Sequence, residues 1–141
     1  MEELHKVYIE AIETVDKQIG ATVACLERLS LKNDTILVVV SDHGQDWQNS
    51  KPGHLNCHYK TDSVDVRKVV LIIKGNGVFS ERIRVKTRVR LIDVFPTLLD
   101  MVDVNFDLDN REENIDFVGK TLFPVITGAV LGDRPAPLYN Y

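Results

Sequence analysis

Apolar residues recur along the first thirty positions at Leu4, Tyr8, Ala11, Ile12, Val15, Ile19, Val23, Leu26 and Leu29. Steps of three and four put these side chains on one face of a helix, so a long amphipathic helix is predicted over 2–30, its stripe packed on a core. A turn at Lys32-Asn33-Asp34 follows. Thr35–Val40 (TILVVV) is β-branched and has no polar alternation, the pattern of a strand covered on both faces, which is usually parallel. Val69–Lys74 (VVLIIK) reads the same way and is punctuated by Gly75-Asn76-Gly77. Residues 82–90 alternate strictly, with Ile83, Val85, Thr87 and Val89 against Arg82, Arg84, Lys86, Arg88 and Arg90. That period of two predicts a half-exposed strand with one basic face, either solvated or paired with the acidic stretch Asp103–Asp116. Asp93 is the expected N-cap of a helix running to Met101, with Pro96 in its first turn. Gly119–Gly128 is expected to be a short buried helical turn. Helix feeding strand feeding helix implies an α/β layered fold, a mixed sheet flanked by helices, in one domain spanning the 141 residues.

Composition adds limits. Hydrophobic residues make up 44% and charged residues 27% of the chain, ordinary values for a globular protein. The net charge of −4 gives the whole chain no pull toward nucleic acid or anionic membrane, and the basic stripe lacks the interleaved aromatics of a single-strand binder. No apolar run is long enough to span a bilayer. The opening Met-Glu-Glu-Leu-His-Lys is acidic and helical rather than a secretory leader, which tilts the expected location toward the cytoplasm and otherwise leaves the compartment undetermined. Cys25 and Cys57 form no disulfide framework and are expected as two thiols, Cys25 as a small buried hydrophobe.

The chemistry is concentrated in Ser41-Asp42-His43-Gly44, at the carboxyl end of the first strand, and in the polar loop after it. In α/β sheets ligands bind in the crevice outside such strand ends. Asp42 offers a hard anionic oxygen and His43 an imidazole nitrogen; Gly44 permits the bend that would turn both toward one cation. Such a donor set suits Mn²⁺, Zn²⁺ or, with more carboxylates, Ca²⁺. A loop in which Asp42 caps a turn and His43 is mere polar surface is an equal reading of these four residues alone. The apolar strand before them and the histidine-bearing loop after them favour a site. That loop carries His54, Cys57, His58, Tyr59 and Lys60. Its histidines are candidates for a general acid or a metal ligand, or simply for surface positions, and Lys60 for a point charge facing a tetrahedral dianion. The spacing His54, Cys57, His58 also resembles half of a structural zinc site, which Asp42 or His43 would have to complete.

Taken in order, several runs resemble the C-terminal half of the catalytic domain of sulfatases, in the alkaline phosphatase superfamily. They are Val15-Asp16-Lys17-Gln18-Ile19-Gly20, Asp34-Thr35-Ile36, Ser41-Asp42-His43-Gly44, the strand Val69–Lys74, Ile92-Asp93-Val94-Phe95-Pro96-Thr97-Leu98-Leu99 and Gly119-Lys120-Thr121-Leu122. The resemblance implies a partial alkaline-phosphatase-like fold and a metal-dependent sulfuric ester hydrolase. Asp42 and His43 match the two later metal-ligand positions of the family, with Ca²⁺ expected first and Mn²⁺ or Zn²⁺ as alternatives. Many sulfatases have Asn at the second position, and His there is shared with bacterial sulfatases and phosphoryl-transfer relatives. His54, His58 and Lys60 fall where the family places groups that touch the ester. The family's Cys/Ser-x-Pro-x-Arg nucleophile motif and its early Asp pair do not occur in this sequence. The chain is therefore expected to supply metal ligands without the nucleophile, to be inactive alone, and to need the N-terminal part of the domain or a second copy along an exposed sheet edge. Alternatives are a fragment of a phosphodiesterase, phosphonate hydrolase or phosphoglycerol transferase acting on phosphate esters, and a non-catalytic binding module.

Overall fold

The computed structural model describes residues 2–46, 64–75, 79, 81–104 and 119–129. It is a mixed helix-and-strand structure, a partial α/β fold, in two compact units, Met1–Phe79 and Ser80–Tyr141.

The first unit opens with helix α1, Glu2–Arg28. The helix stops in a Schellman closure, with Leu31 N–H donating to Leu26 O (2.9 Å) and Ser30 N–H to Glu27 O (3.0 Å). Ser30 holds the left-handed position, φ 58°, that glycine usually takes. The apolar stripe is less covered than its spacing predicts, since Ile12, Val15 and Leu29 are each about half exposed. Cys25 is a thiol of intermediate burial rather than a buried one, and Arg28 donates to its sulfur. Cys57 lies outside the described residues. After a 3-10 turn at Lys32–Asp34 comes strand β1, Ile36–Val40, then the short helix α2, Val64–Arg67, and strand β2, Leu71–Gly75.

β1 and β2 pair antiparallel, with Ile36 opposite Gly75 and Val40 opposite Leu71. This corrects the parallel expectation. An apolar run reports how well a strand is covered, not which way its neighbour runs, and here the end of β1 meets the beginning of β2. β1 is half-buried rather than enclosed, and Val40 is half exposed. The ladder continues one step past the strands: Ser41 N–H donates to Val70 O (3.2 Å), and Val70 N–H donates to Ser41 Oγ (3.0 Å).

In the second unit, residues 81–90 form no strand. The alternation is present in the sequence, but no ladder partner is provided among the described residues, and a strand without one leaves its backbone groups to water. A 3-10 turn at Leu91–Asp93 leads into α3, Val94–Met101, and α4 covers Phe123–Ile126. Asp93 is not an N-cap through its side chain. Its fully buried carboxylate instead accepts Arg90 Nη2 at 3.0 Å, Arg90 Nε at 3.3 Å and the backbone N–H groups of Arg90 and Lys120 at 3.3 and 2.9 Å. One of these contacts, from the Arg90 backbone N–H, closes the 3-10 turn before α3 rather than α3 itself. Thr97, also fully buried, donates its hydroxyl to Asp93 O (2.6 Å) and accepts Leu122 N–H (2.9 Å). Two buried polar side chains thus stitch 119–122 onto the start of α3, with Leu122 and Val125 as the buried apolar residues beside them. Gly119 is required there because a Cβ would lie 2.2 Å from Ile92 O. The acidic stretch 105–116 lies outside the described residues.

Candidate functional site

Asp42 and His43 follow β1 directly, so the double hydrogen bond between Ser41 and Val70 fixes where they leave the sheet. Asp42 Oδ1 accepts the His43 backbone N–H at 2.8 Å, and His43 Nδ1 lies 2.7 Å from Gly44 O. A carbonyl oxygen can only accept, so Nδ1 carries a proton, and in the neutral form this tautomer puts the ring lone pair on Nε2. That nitrogen stands 3.8 Å from Asp42 Oδ2. A carboxylate oxygen and an imidazole nitrogen at this separation can both reach one cation at ordinary bond lengths of about 2.0–2.6 Å. The carbonyl that holds Nδ1 is the outer contact that commonly fixes the tautomer of a metal-binding histidine. The Asp42 side chain is 87% exposed and the His43 ring 32%, so the pair opens to solvent on one side.

Gly44 has a reason different from the expected one. Its φ does not lie in the left-handed region, and what it needs is space: a Cβ would lie 2.0 Å from Asp65 O and 2.4 Å from Lys68 O. Gly44 N–H donates to Val66 O at 2.7 Å, so the segment after His43 is pressed against α2. The site lies at the carboxyl end of β1 but at the amino end of β2, a hairpin root rather than the crest of a parallel sheet.

Sequence reasoning passed over the two residues that come next. Asp46 is 3% exposed, and Gln45 Nε2 is buried without a hydrogen-bond partner. Neither burial is signalled by residue type, since Gln and Asp are normally exposed. His54, His58 and Lys60 lie outside the described residues, as does the half-zinc spacing with Cys57. Among the described residues no group of three or more His, Cys, Asp or Glu side chains could hold a metal ion, so Asp42 and His43 stand as a pair. Also among the described residues, no helix is long and apolar enough to cross a membrane.

Comparison with known proteins adds relatives. The sulfatase family model matches residues 2–104. Steryl-sulfatase of Rattus norvegicus is 27% identical over 98% of this chain and 25% of its own length. Arylsulfatase K of Bos taurus is 30% identical over 69% of this chain and 17% of its own length. The chain thus spans a quarter or less of these relatives. No solved structure matches it.

Proposed function

This chain belongs to the sulfatase family, and on that premise we propose that it is the part of a sulfuric ester hydrolase that supplies two ligands of a catalytic divalent cation, Asp42 and His43. The observation that carries this reading is the convergence of Asp42 Oδ2 and His43 Nε2 to 3.8 Å at the root of a hairpin, with the ring tautomer set by Gly44 O. Family membership alone would not say which residues matter. Two donors leave most of the coordination sphere to residues beyond the described ones, as expected for a chain that covers a quarter or less of its relatives.

A bound divalent cation stabilises negative charge on the ester group under attack and lowers the pKa of a nucleophile that it holds. The residues of this chain have separate tasks. Ser41 anchors the segment to β2. Asp42 contributes anionic oxygen, and His43 is held in one orientation by Gly44 O. The histidine-and-lysine loop contributes His54, His58 and Lys60 as candidates for protonating the leaving oxygen and for countering the charge of the ester. Ca²⁺ is the first expectation for the cation, with Mn²⁺ or Zn²⁺ the alternatives if nitrogen ligation dominates. The chain alone lacks a Cys/Ser-x-Pro-x-Arg nucleophile and is expected not to turn over an aryl sulfate.

The test is a Mn²⁺ titration of the purified chain, followed by paramagnetic broadening of backbone and imidazole resonances. Broadening centred on Asp42 and His43, weakened at least about tenfold in Asp42→Ala or His43→Ala, is the expected result. Broadening that ignores both substitutions would remove the assignment. Turnover of an aryl sulfate by this chain, abolished in Asp42→Ala, would overturn the view that it is catalytically incomplete.

A further inference from the structure

The segment just past Asp42 and His43 holds a donor that its own surroundings do not explain. Gln45 is half-buried as a residue, yet its Nε2 is fully buried and has no hydrogen-bond partner among the described residues. A buried amide N–H without an acceptor destabilises a fold, and an apolar side chain of similar shape, such as methionine, carries no such cost. The chain leaves Gln45 little freedom to turn outward, because both neighbours are fixed. Gly44 donates to Val66 O at 2.7 Å and is crowded by the carbonyl oxygens of Asp65 and Lys68, and Asp46 is 3% exposed. Gln45 is thus held two positions beyond His43, with the two Cα atoms no more than about 7 Å apart.

We propose that Gln45 is a binding residue of the cation site, its carboxamide N–H donating to an oxygen of a tetrahedral oxyanion held at the cation. The proposal rests on the reading of Asp42 and His43 as ligands, and the chemistry of that pair specifies the acceptor. A divalent cation on one carboxylate and one uncharged imidazole keeps a net positive charge, which favours an anion among its remaining ligands. An oxyanion that binds through one oxygen brings others beside it, and such an oxygen is what an unpaired N–H needs. An amide suits this task because it adds a directed donor without adding charge. It does not repel the cation, as an ammonium would, and its N–H does not compete for the cation, as a carboxylate would. A donor already held in place loses little freedom when the anion arrives. Solvent water is the rival source of the oxygen, and the experiment separates the two.

The experiment is calorimetric titration of the full chain with Mn²⁺, in sodium chloride and in sodium sulfate of equal ionic strength, with affinity expressed against free Mn²⁺. The parent chain is expected to bind Mn²⁺ at least about fivefold more tightly in sulfate, from one hydrogen bond to a charged group. Gln45→Met is expected to match the parent in chloride within about twofold and to lose the sulfate gain. Its urea midpoint should rise, because the buried N–H is gone, and Gln45→Leu should behave likewise. A sulfate gain that survives Gln45→Met would overturn the proposal. Equal affinity of the parent in the two salts would do the same and leave water as the source of the oxygen. Lower urea midpoints in both apolar variants would show that the amide is already partnered within the fold, and loss of chloride-phase binding in Gln45→Met would make it a support for the pair; either result overturns the proposal. Mn²⁺ binding in chloride that ignores Asp42→Ala is a separate failure, which removes the ligand assignment and this proposal together.

Discussion

Replacing Asp93 by alanine is expected to cost residues 80–141 about 3–5 kcal/mol, the range for removing one partner of a buried, hydrogen-bonded ion pair. The carboxylate has no exposure and receives four N–H groups, three from Arg90 and one from Lys120. Without it, the Arg90 guanidinium, on a side chain only 16% exposed, loses its carboxylate, and the Lys120 amide loses the oxygen to which it donates. Asp93→Asn keeps the volume and part of the hydrogen bonding but loses the charge, and is expected to lie between the parent and alanine. The same contacts set a pH dependence. Burial pushes the Asp93 carboxyl upward, but the Arg90 guanidinium and the Lys120 N–H outweigh it and hold the pKa below its usual value. A depressed folded-state pKa means that the contribution is complete above the unfolded value of about 3.9 and disappears as the pH falls through the folded one. Urea midpoints measured from pH 6 to pH 2 should therefore drop at the acid end, and the Asp93→Asn curve should be flatter there. An alanine variant within 1 kcal/mol of the parent, or parallel pH curves, would show that the buried pair is not what holds 119–122 to α3.

Gly44→Ala is expected to be the most damaging single methyl added to the first unit. The new carbon would fall 2.0 Å from one backbone carbonyl oxygen and 2.4 Å from another, so no side-chain rotation relieves it. Either α2 moves away or the segment after His43 does, and overpacking of this kind costs about 1–3 kcal/mol or more. Both movements break the Gly44-to-Val66 hydrogen bond and shift the carbonyl that holds the His43 ring. The readout that separates this from general destabilisation is Mn²⁺ binding measured well below the unfolding midpoint. Gly44→Ala should lose affinity there, while Gly20→Ala, in open space on α1, should bind as the parent does. Retained affinity in Gly44→Ala would mean that the ring is positioned by something other than this turn.

What could be read in the residues, and what could not, follows from what each pattern encodes. The stripe at Leu4–Leu29 and the helix starting after Asp93 declared themselves because helical spacing is a local property. The pairing direction of β1 and β2 was not legible, because Ile36–Val40 is apolar at every position and looks the same from either neighbour. Residues 82–90 show the limit of periodicity: the alternation is faultless, yet a strand is a relation between two segments. Asp42 and His43 were visible as donors of the right type on adjacent positions, but their 3.8 Å approach depends on Nδ1 bonding to Gly44 O, which no spacing announces. Gly44 was singled out for the wrong reason, since crowding by α2 comes from residues more than twenty positions away. The helix expected over 2–30 stops at Arg28, because Ser30 takes the left-handed position without glycine at φ 58°, whereas the expected end at Met101 is where α3 stops.

The double hydrogen bond between Ser41 and Val70 has a consequence for how such a protein can diversify. It closes the β1–β2 pair at the end where Asp42 and His43 leave the sheet, so the sheet itself positions these two residues. As a general matter, lengthening a flexible loop costs little, about 0.6 kcal/mol for each doubling. The root then works as a fixed socket: sequence beyond it can change in length without moving the two residues proposed as ligands.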